Sequence, residues 1–140
     1  MKFSRTASYA LQATLQLARS RTAAPIPCKR LAEEGRLPER FLLQILRNLV
    51  THGILESTRG VDGGYSLSRT PAEISLLDVI EAVDGPVIPT LPLPGGLSEE
   101  SRIKLEYVFS DVTELARRKL QAVKLADLLL ENDVPQAAAV

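Results

Sequence analysis

One stretch limits the folding options of this chain more than any other: CKRLAEEGRLPERFLLQILRNLVTHG, residues 28–53. Its first part, about Cys28–Glu34, turns Leu31 and Ala32 to one side of a short helix. Gly35 is placed to end that helix, because glycine tolerates positive φ. Pro38 suits the start of the next one, since its φ is already helical and its missing N–H would go unbonded there. Roughly Glu39–His52 then reads as a longer helix with Phe41, Leu42, Ile45, Leu46 and Leu49 along one side. Arg40, Leu43, Gln44, Arg47 and Asn48 fall partly on the other, and Gly53 closes it. A short helix, a glycine-containing turn and a longer helix are the parts of a helix-turn-helix.

The following residues narrow the fold further. Ile54–Thr58 and Tyr65–Ser68 alternate apolar and polar side chains at period two, as strands do. The connection between them, with Gly60, Gly63 and Gly64, holds three of the eight glycines. A phosphate-cradling loop would need Lys-Ser or Lys-Thr after its last glycine and then a helix, and a dinucleotide fingerprint would need a βαβ unit. Tyr65 and a strand follow instead, so neither applies. Gly63 and Gly64 are expected to supply the positive φ of a hairpin return. A hairpin directly after a helix-turn-helix makes a winged helix, so the chain reads as mainly α with a small β-hairpin wing.

Residues 6–20 form an amphipathic helix before this unit, with Thr6 or Ser8 as its cap, and Pro25 and Pro27 break it. After the wing, Thr70-Pro71 ends the hairpin and Ser75 caps a helix through about Val83. Asp84–Leu97, with four prolines and three glycines, is a linker or irregular loop. From Ser98 a helix is expected to roughly Glu131, about 50 Å long. Leu105, Val108, Val112, Leu115, Ala116, Leu120, Val123 and Leu130 make a stripe near coiled-coil spacing. Such a helix overhangs a domain this small, so its stripe is expected to meet a second copy. The expected organisation is a winged-helix domain over 1–85, a Pro/Gly-rich loop over 86–97, a dimerisation helix over 98–132 and a flexible tail over 133–140.

The formal net charge is zero, which hides an asymmetry. Residues 1–75 carry 11 Lys/Arg against 6 Asp/Glu, and residues 76–140 carry 6 against 11. A basic half suits an anionic partner, although a balance of this size also arises by chance. No run of about 18 apolar residues spans a membrane, and MKFSRTASYALQATLQLA has too many polar residues for a secretory leader. A cytoplasmic protein is therefore expected. Catalysis finds no support: the one histidine, His52, sits at a helix end, where capping explains it, and no nucleophile or paired-carboxylate arrangement is present. The one cysteine, Cys28, allows neither an internal disulfide nor an all-cysteine metal site. Beside Lys29 and Arg30 at a helix start its thiol is a candidate redox sensor with a lowered pKa, or else an incidental group.

On a winged helix the longer helix enters the major groove, where Arg40 and Arg47 reach guanine or phosphate and Gln44 pairs with adenine. Asn48 lies on the same face. Arg59, at the base of the wing, is placed to reach a minor groove, and Gly60 lets the backbone lie near the sugar-phosphate wall. Phe41 reads as core on periodicity alone.

The pattern MKFS…YAL…LA, then LAEEGRLPERFLLQIL, then GILESTRGVDGGYSLSRTPAEISLLDVIEAVDG resembles the bacterial winged-helix regulators typified by IscR, NsrR and CymR. The resemblance is close over residues 1–85 and extends to the placement of the long C-terminal helix. It implies a homodimeric transcription factor, usually a repressor, on a palindromic operator in double-stranded DNA. It also implies DNA contacts at Phe41 and Gln44 in the longer helix and at Arg59 and Gly60 in the wing. Many members hold an iron–sulfur cluster through three cysteines in the loop before the long helix, and this loop has none, so no cofactor or metal is expected. The signal is then a small molecule, a protein effector or the Cys28 thiol. Leu43 replaces a frequent Glu, Val50 and Thr51 replace frequent basic residues, and Asp62 adds a negative charge to the wing. The alternative is a winged-helix protein-interaction module without specific DNA binding.

Overall fold

In the computed structural model, which describes residues 2–20, 22–89 and 91–130, Ser4 rather than Thr6 or Ser8 caps helix α1 (Arg5–Arg19). Its Oγ accepts the Ala7 amide at 3.0 Å and donates to Asp84 Oδ1 at 2.5 Å, so the cap also ties the start of the chain to residue 84. Ala7, Ala10, Ala13 and Ala18 are buried. Their small side chains let helix α4 (Leu76–Asp84) lie close against α1.

Helix α2 spans Cys28–Gly35, and its end differs from the expectation. Arg36, not Gly35, takes the left-handed conformation, with φ 54°. That costs a non-glycine residue about 1–2 kcal/mol. It is offset where the Leu37 amide reaches the Ala32 carbonyl at 2.9 Å and Leu37 is buried. Gly35 instead lies under the side-chain ends of Gln12 and Gln16 from α1. A Cβ there would lie 2.7 Å from Gln16 Oε1 and 2.9 Å from Gln12 Nε2, and that Gln12 amide donates to the Gly35 carbonyl at 2.6 Å.

Helix α3 (Glu39–Thr51) follows, with Pro38 as its N-cap residue. His52 closes it, its amide and its Nδ1 both lying on the Asn48 carbonyl, at 3.1 and 2.9 Å. Gly53 then turns the chain at φ 74°. Leu42, Ile45, Leu46 and Leu49 enter the core, where they meet Leu31, Ile54, Ile74 and Val79.

Strands β1 (Leu55–Thr58) and β2 (Gly64–Leu67) pair antiparallel, with Leu55 opposite Leu67 and Thr58 opposite Gly64. The hairpin is not free at its other edge. Ile26 and Tyr65 exchange both backbone hydrogen bonds at 2.9 Å, which fastens β2 to the residues just before α2. Helix α4 has a full capping box: Asp78 N donates to Ser75 Oγ and Ser75 N donates to Asp78 Oδ2, each at 3.0 Å.

Helix α5 is long but ends sooner than expected, covering Glu99–Ala122. The chain leaves helical conformation at Val123 because its backbone is recruited elsewhere. Val123 O accepts from Leu76 N at 3.0 Å, and Leu125 N donates to Ile74 O at 2.9 Å. Leu125 itself is fully buried, and a short 3₁₀ turn spans Leu125–Leu128. Residues 131–140, including the expected tail, lie outside the described residues. Along α5 only Thr113 is buried, while Ile103, Tyr107, Val108, Val112 and Leu115 are exposed. No helix among the described residues is long and apolar enough to cross a membrane.

Candidate nucleic-acid interface

Helical geometry divides α3 into two sides. Its buried residues 42, 45, 46 and 49 define one direction, and at about 100° per residue positions 40, 44 and 47 fall nearly opposite it. Arg40, Gln44 and Arg47 are accordingly exposed, and Asn48 is half-buried at the margin. Phe41 is the correction: it stands about 90° from the buried direction and is 67 % exposed. An aromatic ring this exposed, in the first turn of a helix, lies largely outside the core of the described residues. Gln44 Nε2 donates to Asn48 Oδ1 at 3.3 Å, which steadies both side chains on the outer face. Pro38 gives α3 no side-chain cap, so no capping side chain competes for the first amides of the helix.

The wing tip runs from Arg59 to Gly63 between the two strands. Arg59, Gly60, Val61 and Asp62 are all exposed, and Val61 is completely so. Gly60 (φ 113°) and Gly64 (φ 153°) carry the positive φ, whereas Gly63 does not. Gly63 is required by proximity, since a Cβ there would lie 2.9 Å from the Arg59 carbonyl carbon and closer still to the Thr58 oxygen. Gly64 sits against the backbone of Ile26 and Pro27, where the wing meets the lead-in to α2. Strand β1 packs on α3, and the Ile26–Tyr65 pair fastens the wing to the lead-in of α2.

Sequence reasoning passed over two features of this surface. Val61 drew no notice because a single apolar residue in a glycine loop has no periodicity. Lys29 and Arg30 were read only as neighbours of Cys28, but both are exposed on α2, with Arg30 held by Glu34 at 2.8 Å.

Cys28 does not have the lowered pKa its basic neighbours suggested. Burial, followed by the charge of Glu39, pushes the thiol above its ordinary value, and Sγ faces the Glu39 carbonyl at 3.9 Å. Lys29 and Arg30 project to solvent, where water screens them.

Over residues 3–131 the sequence matches the family described as Rrf2, an iron-dependent transcriptional regulator. The regulator CymR of Bacillus subtilis strain 168 is 30 % identical over 138 residues, 99 % of this chain and 96 % of that one. Two Mycobacterium tuberculosis sequences are 40 % identical over 87 residues, 62 % of this chain, and the match spans about half (54 %) of their length. Among solved structures, B. subtilis CymR, described as a global cysteine regulator, superposes with a TM-score of 0.72 at 27 % identity, over 91 % of this chain and 95 % of that one. The IscR of T. potens gives 0.72 at 30 % identity, over 91 % and 85 %.

Iron bound as a cluster needs several thiolate or imidazole ligands. This chain has one cysteine and one histidine, and among the described residues no group of three or more His, Cys, Asp or Glu is placed to hold a metal ion. The donor set does not fit a cluster. Fold, outer face and sequence agree on the rest: the chain belongs to the Rrf2 family, a family of transcriptional regulators and not of enzymes.

Proposed function

We propose that this chain is a DNA-binding transcriptional repressor that acts in the cytoplasm as a homodimer on a palindromic operator, without an iron–sulfur cluster. One observation carries the reading. The exposed side of α3, with Arg40, Phe41, Gln44 and Arg47, belongs to a helix that packs on the wing presenting Arg59. In this reading α3 lies in the major groove, where Gln44 and Asn48 read base edges and Arg40 and Arg47 meet guanine or phosphate. Phe41 packs against a thymine methyl or the sugar wall. Arg59 enters the adjacent minor groove, and Gly60 keeps the backbone near it.

The exposed apolar residues Val108, Val112 and Leu115 of α5 support the dimer, because a second copy would remove them from water. Two-fold symmetry then demands half-sites about one helical turn apart. Fluorescence anisotropy with a duplex from the upstream region of its own gene tests the reading. Binding should fall steeply with salt, and Arg59→Ala should weaken it and reduce the logarithmic salt slope by about one. Salt-independent binding, or none, would sink the proposal. The second reading, a protein-interaction module, draws on Val61 and Asp62 at the wing tip, and predicts indifference to Arg59→Ala.

A further inference from the structure

Beside α5, two hollows share Pro89, Leu91 and Phe109. The larger, about 570 Å³, is walled mainly by Ile80, Val87, Ile88, Phe109 and Val112 and is chiefly apolar. The smaller, about 340 Å³, brings in Arg102 and Glu106, one turn apart on α5. Small-molecule sites have this size, with apolar walls and a few convergent polar groups.

Lys104 pairs with Glu100 at 3.0 Å and Arg118 with Glu114 at 3.3 Å, both at i,i+4 spacing. Arg102 and Glu106 have the same spacing, yet no ion pair joins them among the described residues. Arg102 Nε is buried and has no hydrogen-bond partner. That atom is closed off from the hollow, so an acceptor entering the hollow meets the other atoms of Arg102 that line it. A simple carboxylic acid would supply one but set its charge near Glu106, and a simple amine would meet Arg102. A molecule that carries both charges suits both side chains.

We propose that the joined hollows form the effector site of the regulator, and that its ligand is a small apolar α-amino acid. The carboxylate accepts from Arg102, the ammonium faces Glu106, and the side chain fills the larger hollow. Val87, on the wall of that hollow, is held by α4 and α5: its amide donates to Glu81 Oε2 at 2.7 Å, and its carbonyl accepts from Arg117 Nη1 at 3.3 Å. Helix α4 packs on α1 and α3, which gives the site a physical route to the outer face of α3. The term effector rests on the regulator reading above; the binding chemistry does not.

Titration calorimetry on the full chain without DNA tests the site, with L-leucine and L-phenylalanine as probes. The controls are 4-methylpentanoate and 3-methylbutylamine, which keep the apolar body and one charge each. At least one amino acid should bind, and both controls should bind about tenfold or more weakly. Arg102→Ala should lose at least that factor while its circular dichroism stays unchanged. No binding of either amino acid at about 10 mM, equal binding of 4-methylpentanoate, or an unaffected Arg102→Ala would overturn the proposal. If Arg102→Ala does not fold, Glu106→Gln, altered at an exposed side chain, decides. It should erase the preference for leucine over 4-methylpentanoate, and an intact preference refutes the site. Since no DNA is present, a failure here leaves the operator reading standing, and a failure of DNA binding leaves this site standing.

Discussion

Replacing Gly64 with alanine places a methyl group where the backbone of residues 26 and 27 already lies. The new Cβ would sit 2.6 Å from Pro27 N and closer still to the Ile26 carbonyl, and neither atom belongs to a flexible side chain that could move aside. The φ of 153° adds strain of about 1–3 kcal/mol for an L-residue. The wing can escape only by separating from Ile26, which breaks both Ile26–Tyr65 hydrogen bonds. Each is worth about 0.5–1.5 kcal/mol, and Ile26, now 6 % exposed, would be partly uncovered. That uncovering adds at most about 1.5–3 kcal/mol, so with about 1–3 kcal/mol for the two bonds the expected loss is about 1–6 kcal/mol. Urea unfolding at fixed protomer concentration measures it, and amide hydrogen exchange at Ile26 and Tyr65 localises it. Gly95→Ala is the control, because no atom lies within 4 Å of a Cβ there and its φ is not positive. A Gly64→Ala protein within about 0.5 kcal/mol of wild type, with both amides still protected, would refute the reasoning.

Other consequences are open to simpler measurements. Leu115→Asp, at a side chain 64 % exposed on α5, should convert a dimer to monomer in sedimentation experiments; an unchanged dimer places the interface elsewhere. Arg59→Ala should leave the urea midpoint unaltered while it weakens DNA binding, since its side chain is exposed; a shifted midpoint would make its role structural. Glu81→Ala should speed exchange of the Val87 amide, which loses its acceptor, and an unchanged rate would mean that Glu81 does not hold the segment. The Cys28 thiol, held above 9.0, should react with a disulfide reagent more slowly at pH 8 than an unfolded control. Since the folded state keeps that proton longer, stability should decline as pH rises from 9.0 towards the folded value. Faster reaction than the control would contradict the burial.

Most elements were legible because each has a local cause. The apolar spacing of Leu42, Ile45, Leu46 and Leu49, the cap at Ser75 and the turn at Gly53 all act within a few residues. The errors arise where a distant segment decides. Gly35 looked like a helix terminator, yet the residue that takes positive φ is Arg36, and Gly35 lies under the flexible ends of Gln12 and Gln16 from α1. Gly64 answers to the backbone of Ile26. Periodicity carried the long helix past Ala122, but pairing with residues 74–76 stops it, and no local signal marks that partner. On the outer face of α3 the sequence shows which residue types are present, while the exposure of Phe41 depends on no neighbour lying above the first turn.

The junction between residues 74–76 and 123–125 also bears on how the chain assembles. Its partners are about fifty residues apart, whereas α2, α3 and the wing close their contacts within shorter spans, so loop entropy sets the junction behind those contacts. During synthesis the wing and helices α1–α4 can meet before Leu125 has left the ribosome. The winged-helix unit would then form early, with a hole in its core where Leu125 belongs, and the turn Leu125–Leu128 would seal it.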